Sequence, residues 1–163
     1  MSNLPDLEHL DQSWRYWSGL QQLSGISVST ECADCVMLFS SNEASVHLRR
    51  DGDWWTYDSV DDRGQLHVDE ARFTSFALME KYLIWMWASA ARAMLRAPLA
   101  GPKLYASGFD PEVEAIPIRT GIYELRSPEG RAVLMEPWAT IFSHLMGTPL
   151  DEIERIVRSG INA

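Results

Sequence analysis

The stretch FTSFALMEKYLIWMWASAARAMLR, residues 73–96, decides how the rest of the chain is read. It holds neither glycine nor proline and is rich in good helix formers, so it reads as one long helix. Around Tyr82-Leu83-Ile84-Trp85-Met86-Trp87 it is apolar on every face, which requires burial on more than one side. Pro98 and Gly101-Pro102 stop it. A central helix of this kind needs layers on either side, and the flanking sequence supplies candidates for both.

Upstream, the pattern is of short strands. Runs at Gly25–Ser29, Cys35–Ser40, Ser45–Arg50, Trp54–Ser59 and Gln65–Asp69 are rich in β-branched and aromatic residues. Asp51-Gly52-Asp53 and Asp61-Asp62-Arg63-Gly64 separate the later ones, and glycine takes the positive φ that hairpin turns need. These five runs predict an antiparallel meander. Before them, Leu7, Leu10, Trp14, Trp17 and Leu20 recur at steps of three and four, predicting an amphipathic helix over residues 6–22 that starts at Pro5-Asp6.

Downstream, residues 98–112 read as a long irregular loop, a kind of segment that often carries function. A second β portion follows at Ala115–Arg119, Gly121–Arg126 and Arg131–Glu136. Its last two runs are joined by the turn Ser127-Pro128-Glu129-Gly130. A helix is expected over 138–146. Thr148-Pro149-Leu150-Asp151 looks like an N-cap, a proline at the first helical position and an acidic first turn, opening a helix to Arg158. The whole predicts a single α+β domain over 1–163: a β-meander packed on a long central helix, a short second β-hairpin region and C-terminal helices. A chain of 163 residues suits one domain, for which roughly 100–200 residues is usual.

Apolar residues make up 46% and charged residues 23%, as in ordinary globular proteins. The net charge of −9 repels nucleic-acid phosphates and anionic membranes, so neither is an expected partner. It favours encounter with a protein of basic surface. The run from Tyr82 to Met94 is too short for a membrane span and is interrupted by Arg92. Residues 1–6 show no basic or strongly apolar leader pattern, so the cytoplasm is the expected compartment.

Motifs for catalysis are scarce. Cys32-Ala33-Asp34-Cys35 is a C-x-x-C, but Glu31 and Asp34 raise rather than lower a thiol pKa. Two reduced thiols at the start of a strand are expected. A zinc site would need two further ligands, and His9, His47, His67 and His144 are scattered. There is no G-x-S-x-G, P-loop or G-x-G-x-x-G. The expectation is a binding protein, not an enzyme, with neither cofactor nor metal.

Two surfaces are candidates for that binding. Residues 51–70 carry seven carboxylates against Arg63 alone, interleaved with Trp54, Trp55 and Tyr57. In an alternating strand Trp54 and Trp55 point to opposite faces, so one of them lies away from the core. Trp54, Trp55, Asp61 and Asp62 are therefore candidate contacts. The Pro98–Glu112 stretch is the second surface.

The layout of residues 20–160 resembles the bacterial immunity proteins grouped as immunity protein 61, antitoxins to the tuberculosis necrotizing toxin. The resemblance rests on Gly25-Ile26-Ser27-Val28, Asp51-Gly52-Asp53-Trp54-Trp55, Leu78-Met79-Glu80-Lys81-Tyr82-Leu83, Ser107-Gly108-Phe109 and the Ser127–Gly130 turn. It implies a cytoplasmic protein that occupies the active-site cleft of a secreted, NAD-hydrolysing toxin. It also implies contacts from Lys103, Ser107, Gly108 and Phe109. The alternative from another class is a small acidic secretion or assembly chaperone, expected to dimerise around an open hydrophobic groove.

Overall fold

The computed structural model describes residues 7–32 and 35–161. Along the chain run α1 (Leu7–Leu20), β1 (Ser27–Ser29), β2 (Met37–Ser40), β3 (Ser45–Asp51), β4 (Trp54–Val60) and β5 (Leu66–Phe73). Then come α2 (Phe76–Met94), α3 (Gly101–Ala106), β6 (Glu114–Arg119), β7 (Ile122–Ser127), β8 (Gly130–Met135), α4 (Trp138–Ser143) and α5 (Leu150–Arg158). The fold is α+β, as expected. The helix start read at Pro5-Asp6 lies outside the described residues.

The two β portions are not separate. They form one antiparallel sheet of order β1-β2-β3-β4-β5-β8-β7-β6. The join is short: Ala71, Arg72 and Phe73 of β5 pair with Leu134, Val133 and Ala132 of β8. A pairing between residues some sixty positions apart leaves no local signal, so the sequence pattern could not reveal it. The sheet covers one side of α2, and α1 and α5 pack on α2 from its other sides.

Phe73 belongs to β5, where it pairs with Trp55, so α2 starts three residues later than its composition suggests. Ser75 provides the start: its hydroxyl accepts from the Leu78 N–H at 3.2 Å. Aromatic contacts then tie the layers. Trp14 of α1, Phe39 of β2 and Trp87 of α2 meet with ring centroids 5.0–6.3 Å apart. Tyr82 of α2 touches Tyr57, Phe73 and Phe142, joining β4, β5 and α4. Such tilted and edge-to-face aromatic pairs add ~0.5–1.5 kcal/mol each beyond their burial.

Charge also organises the helices. Arg92, buried near the end of α2, donates to the carbonyls of Pro98, Val157 and Ser159 at 2.7–2.8 Å. The last two are free carbonyls at the α5 C-terminus, where a cation is favoured. At the other end, His9 of α1 bridges Glu80 of α2 and Glu154 of α5 at 2.9 and 2.6 Å. Thr148 does not cap α5 as its sequence context suggested; its hydroxyl donates instead to the His144 carbonyl at 2.8 Å, and Pro149 takes the cap position.

Candidate interaction surfaces

Alternation along β4 separates the two tryptophans. Trp55 points into the core and is 6% exposed, its ring against Phe76. Trp54 takes the outer face of the sheet, between the guanidinium groups of Arg72 and Arg131 at 4.9 and 5.1 Å from its ring centroid. Of the pair, only Trp54 stands where a partner can reach it. The middle of β4 is buried on both faces, because Thr56 and Asp58 on the outer side are covered as well.

The acidic stretch is not a free acidic face. Asp58 is buried against Arg49. Asp51 lies 4.0 Å from Arg72. Asp61 builds the β4–β5 turn, accepting from the N–H groups of Arg63 and Gln65 and bonding His67 Nε2 at 3.0 Å. The bond from His67, followed by that from the Gln65 N–H, holds its carboxyl below the ordinary aspartate range. Asp62 and Asp53 remain exposed. Asp62 is thus available for contact, while Asp61 already serves the turn.

The stretch 98–112 is less irregular than its composition suggests, because Gly101–Ala106 forms the short helix α3 with Pro102 in its first turn. Lys103, Ser107 and Gly108 are exposed. The Gly108 carbonyl bonds His144 Nε2 at 2.7 Å, and the Asp110 N–H donates to Ser143 at 2.9 Å. Phe109 packs on Tyr123, with centroids 5.0 Å apart. Phe109 is therefore an anchor that fastens this segment to β7. Beside α3, Trp85, Leu99, Tyr105, Trp138 and Ile141 line an apolar cleft of about 370 Å³.

A third surface had no sequence signal. On the outer face of the sheet, β5 and β8 pair only at residues 71–73, so the two halves of the sheet diverge beyond that point. The split opens a groove of about 610 Å³, within the usual range of ligand sites. Its walls include Val68 and Arg72 from β5, Ile118 and Arg119 from β6, Ile122 from β7 and Met135 from β8. Trp54 stands at its rim. Val68, Ile118 and Met135 are 54%, 52% and 42% exposed, unusual for apolar residues gathered in one place. A register shift in the β4–β5 ladder between Tyr57 and Ser59 sets Val68–Glu70 out of regular pairing beside the groove, and such bulges re-aim side chains.

A family model described as immunity protein 61 matches residues 20–159. The chain belongs to that family. The fold is also that of Rv3902c from M. tuberculosis, with a TM-score of 0.66 at 18% identity, covering 88% of this chain and 86% of that one. Among curated proteins, none is detectably similar in sequence.

As an immunity protein 61 member, the chain presents its candidate surfaces on different sides. The groove and Trp54 occupy the open sheet face, whereas α3 contacts α4 in the helical layer on the other face. The expectation of reduced thiols is corrected: Cys32 and Cys35 are joined in a disulfide. Their Cα atoms lie 5.4 Å apart, a separation a disulfide spans readily. Among the described residues no cluster of His, Cys, Asp and Glu could hold a metal ion, and no helix is long and apolar enough to cross a membrane.

Proposed function

We propose that the chain binds a cognate secreted toxin and neutralises it by covering the toxin's active site, with no catalysis of its own. The observation that carries this reading is the match of the immunity protein 61 family over residues 20–159. The net charge of −9 supports it, since it favours encounter with a basic protein surface. The resemblance to antitoxins of the tuberculosis necrotizing toxin makes an NAD-hydrolysing toxin the first candidate partner. Trp54 and Asp62 on the hairpin side, and Lys103, Ser107 and Gly108 beside α3, are accessible for such a contact.

The test is co-expression with candidate NAD-hydrolysing toxin domains. Neutralisation predicts restored growth, preserved cellular NAD and a complex that co-purifies. A toxin panel that stays fully active, with the chain instead forming a stable homodimer around the sheet groove, would support a chaperone.

A further inference from the structure

The groove on the split sheet face carries a more specific reading, which rests on the proposed neutralising role. We propose that it is the docking groove for an extended segment of the toxin that carries apolar and acidic side chains. Three observations lead there.

The first is the backbone. β8 pairs with β5 only through Ala71–Phe73, so the β5 stretch 66–70 has no ladder partner on that side among the described residues. Unpaired strand backbone next to a groove is what an extended peptide engages, with side-chain pockets supplying specificity. The second is the apolar lining. Val68, Ile118 and Met135 are each exposed by more than two-fifths, and a flanking Leu66 is 57% exposed. They give alternate side chains of an entering segment somewhere to rest.

The third is charge, and it sets the chemistry of the partner. The carboxylates near the groove are engaged internally: Glu124 accepts from Arg126 Nε at 2.6 Å, and Glu70 is bonded by the Ser59 hydroxyl. Of the nearby cations, one is not. Among the described residues Arg119 makes no ion pair, whereas the Arg131 guanidinium stacks on Trp54. Arg72 is engaged by Asp51 at 4.0 Å and by the Trp54 ring, and its Nε, which has no hydrogen-bond partner among the described residues, is buried. In a chain of net charge −9, Arg119 is the groove's unpaired cation among the described residues. Guanidinium groups pair with carboxylates in a planar, two-point fashion. An acidic residue of the toxin segment would fix its register here, while the wider field steers the encounter.

The experiment takes the toxin domain that the chain suppresses in co-expression and measures its affinity for the full chain and for variants. Ile118→Asp and Arg119→Glu should each weaken binding by at least 30-fold, as hot-spot positions do. Arg119→Lys should retain most of the affinity. Arg15→Glu, the same charge change on the helical side, should have no effect. Hydrogen exchange on the unaltered complex should show new protection of the amides of residues 66–70. That arm does not depend on how any variant folds.

Wild-type affinity in both groove variants, or protection confined to residues 101–110, would overturn the groove while leaving neutralisation intact. If the unaltered chain suppresses no toxin, the neutralising role fails and the groove assignment falls with it.

Discussion

Replacing Arg92 with methionine removes the cation that ties the end of α2 to the end of α5. Its guanidinium donates to three carbonyls at 2.7–2.8 Å, and the residue is 9% exposed. A hydrogen bond from a charged donor contributes ~1.5–3 kcal/mol net. Three bonds from one group do not add fully, and methionine keeps the apolar contacts of the stem. The freed carbonyls at the helix end remain partly desolvated, so the expected loss is ~3–5 kcal/mol. For a chain of this size ~1 kcal/mol corresponds to a fall of roughly 2–4 °C, giving a drop of about 6–20 °C in Tm. Thermal unfolding followed by circular dichroism reads it. Arg92→Lys keeps the charge but not the forked geometry and should fall between the two. A Tm for Arg92→Met within about 3 °C of the parent would refute the claim that this arginine holds α5 in place.

Further outcomes follow from the same geometry. Trp55→Ala should cost ~3–5 kcal/mol in chemical denaturation, as expected for a core aromatic, whereas Trp54→Ala should cost ~1–2 kcal/mol, mostly lost cation–π contact. Equal losses would mean that the two faces of β4 are not as described. For His9, burial works against the charged form, but the hydrogen bonds and charges of Glu80 and Glu154 outweigh it and raise its pKa above the usual histidine value. The stabilisation from that bridge is therefore fully present below the unfolded pKa, about 6.5, and is lost as pH rises through the higher folded value. The Tm gap between the parent and His9→Gln should thus be wide at acidic pH and close at alkaline pH. A gap that widens as pH rises would contradict the bridge.

Much of the fold was legible because it is written in local periodicity. The α1 stripe of Leu10, Trp14 and Trp17, the turn glycines of the meander, and the unbroken helical run of α2 each declare themselves within a dozen residues. What was hidden is long-range. The β5–β8 junction joins residues 71–73 to 132–134, and nothing local distinguishes that pairing from two separate sheets. Helix α3 was masked by Gly101-Pro102, which reads as a breaker although proline is well placed in a first helical turn. Arg92 looked like an interruption of an apolar run, and only the fold reveals the three carbonyls it serves.

The candidate site was legible in the same uneven way. Opposite facing of Trp54 and Trp55 follows from strand alternation alone, but which of them is buried depends on where the helices pack. Asp61 was a candidate contact as part of the acidic, Trp-bearing stretch, and Phe109 through the family resemblance; what each also does for the fold had no sequence signal. One is held by the turn it organises and the other by Tyr123. The groove draws on five strands, so its residues share no motif. An unusual exposure of Val68, Ile118 and Met135 could be recognised only after the sheet was assembled.

Whether the chain neutralises a toxin is tested most directly by a titration. The purified chain is added to a fixed concentration of its candidate toxin domain, well above their dissociation constant, while NAD hydrolysis is followed. Neutralisation predicts that activity falls linearly and reaches background at one equivalent. Undiminished hydrolysis at a large molar excess, for a toxin that the chain nonetheless binds, would contradict it.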